Sequence, residues 1–165
     1  MTTIADPPPD GERRRSPHIP RYPKREGGPP PFIWPIKVRS YELDAIGHVS
    51  NPVYVNYLEG ARAEAFASIG LTPQRFEDQR IHVVIAAAAL RYLAPAHLHD
   101  ELDVSVEVVQ IGRTSATFHQ KIQNRTTSRL AVDAEVVGVF MGPDGRPTPV
   151  PEEFIRAFGP PPEAA

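Results

Sequence analysis

Residues 51–70 encode one long helix rich in small residues, and directly behind it the apolar period falls from helical spacing to two. Asn51 is the expected N-cap, and Pro52 occupies the first helical position, where its missing N–H costs nothing. Tyr54, Leu58, Ala61, Ala65 and Ile69 follow the helical repeat. Gly70 is the expected C-cap, with Pro73 just beyond. Gly60, Ala61, Ala63, Ala65 and Ala67 leave the helix thin. A mid-helix glycine costs about 1 kcal/mol relative to alanine, so Gly60 predicts close approach by another backbone.

After the helix, residues 81–93 form an apolar run that predicts a strand covered on both faces, with a buried helix as the competing reading. Leu102, Val104, Val106 and Val108 alternate cleanly. Ala116, Phe118 and Ile122 share one side of the next segment, and Leu130, Val132, Ala134, Val136 and Phe140 share one side of the one after. Residues 124–128 and 143–145 read as turns, and Pro151 opens a short last helix through Phe158. Ahead of the helix, residues 33–41 predict a first strand with Ile36 and Val38 on one face. Strands joined by short links pair antiparallel. One helix and one antiparallel sheet of five to six strands make an α+β domain, and the simplest packing wraps the sheet around the thin helix, the hotdog architecture.

Proline marks the domain limits. Of 20 prolines, only Pro52, Pro73 and Pro95 fall between residues 36 and 142. Residues 1–31 hold three consecutive prolines twice, the run Arg13-Arg14-Arg15 and little apolar surface, which predicts a solvated, disordered tail. Residues 32–158 are then the domain and 159–165 a second tail. The net charge of −2 lacks the basic excess of many nucleic-acid binders. No apolar run is long enough to span a membrane. With no cysteine, disulfides and thiolate chemistry are excluded, which fits a cytoplasmic protein. Neither a glycine-rich phosphate loop nor a serine nucleophile elbow is present, and no histidine pair has metal-ligand spacing.

Chemistry concentrates in residues 41–62, YELDAIGHVSNPVYVNYLEGAR. Asp44 lies in a loop seven residues ahead of the expected cap. A helix start favours a nearby carboxylate and offers unused N–H donors. Because Pro52 has none, the nearest donors are those of Asn51 and Val53. One of them can polarise a carbonyl while Asp44 attacks its carbon or activates a water, the minimum set for acyl transfer.

The segment resembles the 4-hydroxybenzoyl-CoA thioesterase family of hotdog proteins, which includes the Tol-Pal-associated acyl-CoA thioesterases. The likeness is carried by Asp44, Ala45, Gly47, Asn51, Tyr54, Tyr57, Glu59, Ala61 and Arg62. It continues in residues 91–96 with Asp100-Glu101-Leu102, and in Ile111-Gly112-Arg113-Thr114-Ser115. It implies acyl-CoA hydrolysis to free acid and coenzyme A without metal or redox cofactor. Asp44 matches the nucleophile or general base, and the Asn51 backbone N–H matches the group polarising the thioester. One branch has histidine at Asn51; His48 is then a candidate to orient water or Asp44. Tyr54 matches the pocket lining, and Arg113, Thr114 and Ser115 the segment that binds coenzyme A. The family has arginine at Ala94 and glycine at His99 in many members, and this chain departs from both. A homodimer or homotetramer, with sites at the subunit interface, is implied.

Plainer readings stand beside these. Asp44 also suits a simple turn. Glu59 and Arg62 suit a one-turn ion pair, and Arg91 in an apolar strand calls for a partner, such as one across an interface. Other activities compatible with the fold are a non-catalytic module binding acyl-CoA or an acyl carrier protein, and a hydratase.

Overall fold

The computed structural model describes residues 28–159. The expected tails over residues 1–27 and 160–165 lie outside the described residues. Strand β1 (Phe32–Lys37) leads through a 3₁₀ turn (Ser40–Glu42) to helix α1 (Asn51–Ser68) and a short helix α2 (Pro73–Gln79). Four strands follow: β2 (His82–Tyr92), β3 (Glu101–Ile111), β4 (Ser115–Asn124) and β5 (Arg129–Met141). Helix α3 (Glu152–Phe158) closes the order. The five strands form one antiparallel sheet in the order β1-β3-β4-β5-β2, packed against α1 as the hotdog architecture requires. Among the described residues, no helix is long and apolar enough to cross a membrane.

Period two dictates the inner face of the sheet. Leu102, Val104, Val106, Phe118, Ile122, Val132, Ala134 and Phe140 are buried, as the alternation predicted. Against them α1 buries Tyr54, Leu58, Ala61 and Ala65 at helical spacing. What hugs Gly60 is an aromatic ring rather than a backbone: a methyl group there would stand 2.7 Å from the Trp34 indole. The far end of α1 meets a cluster of rings, Phe66 lying 5.8 Å from Phe118 and 5.7 Å from Phe154 of α3.

Several expectations are corrected. The first strand stops at Lys37, because Ser40–Glu42 coils into a 3₁₀ turn whose Glu42 carboxylate accepts the Arg39 N–H at 2.7 Å. The N-cap of α1 is Ser50, one residue earlier than expected, and it makes no side-chain cap. Its carbonyl instead accepts the Val53 N–H at 3.0 Å. At the other end Ile69 is the C-cap and Gly70, at φ +85°, follows it. The N–H groups of Gly70 and Leu71 return to the carbonyls of Ala67 and Phe66, so the glycine supplies the left-handed residue that ends the helix. Helix α2 was not foreseen; Thr72 caps it by accepting the Arg75 N–H at 3.3 Å.

Residues 82–92 are a strand, yet not one covered on both faces within this chain. β2 is an edge strand, and Val84, Ile85, Ala86, Ala87 and Ala88 are exposed. Arg91 finds its partner inside the chain, on the Asp133 carboxylate of neighbouring β5. Arg62 turns inward instead of pairing with Glu59: its guanidinium donates to Gln120 Oε1 at 2.6 Å, and Gln120 Nε2 donates to the Leu58 carbonyl at 3.0 Å. Burial lowers the Arg62 pKa.

Candidate active site

Residues 42–50 form a short hairpin that presents Asp44 ahead of α1. Leu43 pairs with Val49, and the Ser50 N–H donates to the Glu42 carbonyl at 3.0 Å. At its tip the Asp44 N–H donates to the His48 carbonyl at 2.7 Å, and Gly47 takes φ +83° to make the reversal. Asp44 Oδ1 accepts two backbone N–H groups, from Ile46 at 2.9 Å and His48 at 3.1 Å. The plain turn role of Asp44 is therefore real, and it uses one oxygen. Oδ2 has no hydrogen bond among the described residues, and the side chain is exposed.

The hairpin is anchored from two sides. On one, the Val49 N–H donates to the Ala96 carbonyl at 2.9 Å, while the Ala96 N–H donates to the Tyr54 hydroxyl at 3.0 Å. This ties the 94–100 turn to α1 with the hairpin between them. His99 adopts φ +68° in that turn, the left-handed conformation that suits the glycine found in many members of the resembling family. On the other side the Tyr57 hydroxyl donates to Glu42 Oε2 at 2.6 Å. Burial raises both phenols, helped at Tyr57 by the Glu42 carboxylate and at Tyr54 by charges that include Asp44.

Tyr54 is thus a buried post for the loop, its hydroxyl oxygen accepting the Ala96 N–H. The His48 ring packs edge-on against the His97 ring, with centroids 4.9 Å apart, so His48 reaches Asp44 through its backbone N–H. The Asn51 N–H, in the first turn of α1, has no acceptor among the described residues, as helix geometry demands of an uncapped start. The Asn51 carbonyl faces the Tyr92 hydroxyl at 3.5 Å, and the Tyr92 ring lies 5.7 Å from that of Tyr54.

Arg113, Thr114 and Ser115 do not join this group within one chain. Arg113 and Thr114 lie in the β3–β4 turn and Ser115 opens β4, beyond the far end of β3 from the 94–100 turn. β3 has 11 residues, which at roughly 3.4 Å each separates its ends by about 34 Å. Their backbones hold the local structure: the carbonyls of Arg113 and Thr114 accept N–H groups of Val150 at 3.0 Å and Phe140 at 2.9 Å.

Sequence reasoning missed two polar groups. Gln120 occupies an inward position of β4, and a polar residue in an otherwise apolar alternation was the available signal. On the outer face Asp133 accepts from His119, Nε2 to Oδ1 2.6 Å, as well as from Arg91. Burial would raise the Asp133 pKa, but these two partners outweigh it and hold it low. Among the described residues no cluster of histidine and carboxylate suits a metal ion.

Known proteins resemble this chain over the same region. The acyl-CoA thioester hydrolase YbgC of Escherichia coli O157:H7 is 31% identical over 128 residues, covering 77% of this chain and 95% of that protein. The chloroplastic acyl-acyl carrier protein thioesterase ATL2 of Arabidopsis thaliana is 30% identical, over 75% of this chain and 66% of its own length. The crystal structure of Slr0204, a 1,4-dihydroxy-2-naphthoyl-CoA thioesterase from Synechocystis, shares the fold with a TM-score of 0.72 at 20% identity. It covers 78% of this chain and 95% of that one. The family model described as the thioesterase-like superfamily matches residues 38–158, a span that holds both the Asp44 hairpin and the whole of α1, and the chain belongs to that superfamily.

Proposed function

We propose that the chain hydrolyses an acyl-CoA thioester to the free acid and coenzyme A, with Asp44 as nucleophile or general base. The observation that carries the reading is the division of labour in the Asp44 carboxylate. Two N–H groups immobilise Oδ1, and Oδ2 is left exposed ahead of a helix start with an unused N–H. As base, Oδ2 takes a proton from the water that attacks the thioester carbon. The carbonyl oxygen gains charge and is held by the Asn51 N–H. Collapse of the adduct breaks the carbon–sulfur bond, and the departing thiolate takes up the proton. As nucleophile, Oδ2 attacks the thioester carbon, the carbon–sulfur bond breaks to release coenzyme A thiolate, which takes up a proton, and water opens the resulting anhydride to the free acid and the Asp44 carboxylate. Both routes draw on water and the chain's own groups, so coenzyme A enters only as part of the substrate.

The reading includes a homodimer built through β2. An edge strand of 11 residues with exposed Val84, Ile85 and alanines is a ready template for pairing. Two identical strands pairing antiparallel are related by a two-fold axis perpendicular to the sheet, so both α1 helices lie on one face. His82 of one copy then meets Tyr92 of the other. Ser115, Val139 and Val84 sit level across the sheet. The second copy's Arg113, Thr114 and Ser115 therefore come to the end of the joint sheet where Asp44 and Asn51 stand, as coenzyme A binding requires.

Thiol release from acyl-CoAs and acyl carrier proteins, followed with a chromogenic thiol reagent, tests the reading; the absence of cysteine removes background. Release by the wild type and its loss in Asp44→Asn supports it. Binding without release points to the non-catalytic module, and hydration of crotonyl-CoA without release points to the hydratase.

A further inference from the structure

A groove of about 550 Å³ runs between the second half of α1, helix α2 and the start of β2. Its walls are Ala63, Phe66, Leu71, Phe76, Ile81 and Val83, and its polar groups are limited to Glu77 and His82. The size lies within the roughly 300–1,000 Å³ of small-molecule sites, and an apolar lining with few polar groups is their usual character. In one chain this groove is remote from Asp44. α1 has 18 residues, about 27 Å at 1.5 Å each, and the groove lies toward its far end.

Pairing through β2 removes that separation. His82 and Val83 begin β2, and Tyr92, whose hydroxyl faces the Asn51 carbonyl, ends it. Antiparallel pairing over the full strand sets the start of one β2 beside the end of the other, one strand spacing of about 4.8 Å away. The groove of the second copy then opens beside the helix start of the first. Between them the same face of β2 offers Ile85, 43% exposed and aligned with Val83 over Gly138.

We infer that this groove, contributed by the second copy, takes the acyl chain, and that the substrates are acyl-CoAs with long aliphatic chains rather than short or hydroxylated aromatic acyl groups. The inference rests on the proposed thioester hydrolysis and on pairing through β2. The apolar walls fit methylenes, whereas the hydroxyl of an aromatic acid would find partners only at Glu77 and His82. Phe76 and Leu71 make α2 the element that sets chain length.

The test is kcat/KM for butyryl-, dodecanoyl- and 4-hydroxybenzoyl-CoA with wild type, Ala63→Phe and Phe76→Ala. Ala63 is exposed on α1, so added bulk fills the groove without entering the core. The expected result is a preference of the wild type for dodecanoyl-CoA. In Ala63→Phe the ratio of dodecanoyl to butyryl kcat/KM falls by about tenfold or more, and in Phe76→Ala the kcat/KM for hexadecanoyl-CoA, measured for this variant and wild type, rises relative to that for dodecanoyl-CoA. A ratio unchanged by Ala63→Phe, or a wild-type preference for either other substrate, overturns the inference. If the wild type releases no thiol from any substrate, the hydrolase reading fails instead. The groove is then judged by displacement of a fluorescent fatty acid with dodecanoate: binding lost in Ala63→Phe upholds it, and no binding by wild type overturns it.

Discussion

In the proposed mechanism Asp44 would serve both the turn and the chemistry, and a single substitution separates the two. Asparagine keeps a carbonyl oxygen where Oδ1 accepts the Ile46 and His48 N–H groups but cannot act as a base. Asp44→Asn is expected to lower kcat by about 10²–10⁴-fold, typical of a lost general base, with a melting temperature close to wild type by calorimetry. Gly60→Ala tests packing instead. Its methyl would stand 2.7 Å from the Trp34 ring, so the indole must shift; a loss of about 1–3 kcal/mol in urea unfolding is expected. Gln120→Leu removes the acceptor of the buried Arg62 guanidinium and the donor to Leu58. It is expected to cost about 1.5–3 kcal/mol, the range for hydrogen bonds to charged groups. Of these residues, Asp44 was marked in the sequence by the whole string from Asp44 to Arg62 and its family resemblance, since a lone loop carboxylate suits a turn as well. Gln120 shares the inward parity of Phe118 and Ile122, but nothing local tells that its partner is Arg62, 58 residues away.

At the scale of elements, β2 is where local pattern and observed burial part company. Its apolar run has the character of a covered strand, and in one chain it is an exposed edge. Ala87 stands at the middle of the strand, so in a two-fold dimer it faces its own copy. Ala87→Lys places like charges together across the axis, which destabilises strand pairing. Sedimentation equilibrium is expected to report a dimer for wild type and a monomer for this variant, with thiol release lost alongside. A monomeric variant of undiminished activity would refute a site shared between copies. Helix α2 escaped the sequence because seven residues carry too few apolar positions to display a period; the Schellman-type turn at Gly70 and the Thr72 cap decide it.

Over the whole molecule, one carboxylate on the outer sheet face, Asp133, ties folding stability to acid. His119 and Arg91 hold the Asp133 pKa low against burial. A carboxylate depressed in the folded state stabilises it above the unfolded carboxylate pKa of about 3.9, and the contribution disappears as pH falls through the lower folded value. Asp133→Asn is therefore expected to lose about 1.5 kcal/mol near neutral pH, and its melting temperature is expected to converge on wild type as pH falls below about 4. A gap that persisted at low pH would assign the loss to shape rather than to ionisation.

The sequence by itself determined the order of the strands and of α1 and α3, though not α2, and the inner face of the sheet, since these are written in hydrophobic periods that act over a few residues. It also marked the Asp44 loop, the thin helix and the family resemblance, because these too are local strings. Only the tertiary structure decided what closes on Gly60, where Arg62 and Arg91 find partners, and that β2 lies at an edge. Those outcomes depend on which strands become neighbours, and pairing partners far apart in the chain leave no mark on any one segment. The position of Arg113 belongs to the same class. Its place between two alternating segments was plain in the sequence, but its distance from Asp44 follows from the length and direction of β3 in the folded sheet.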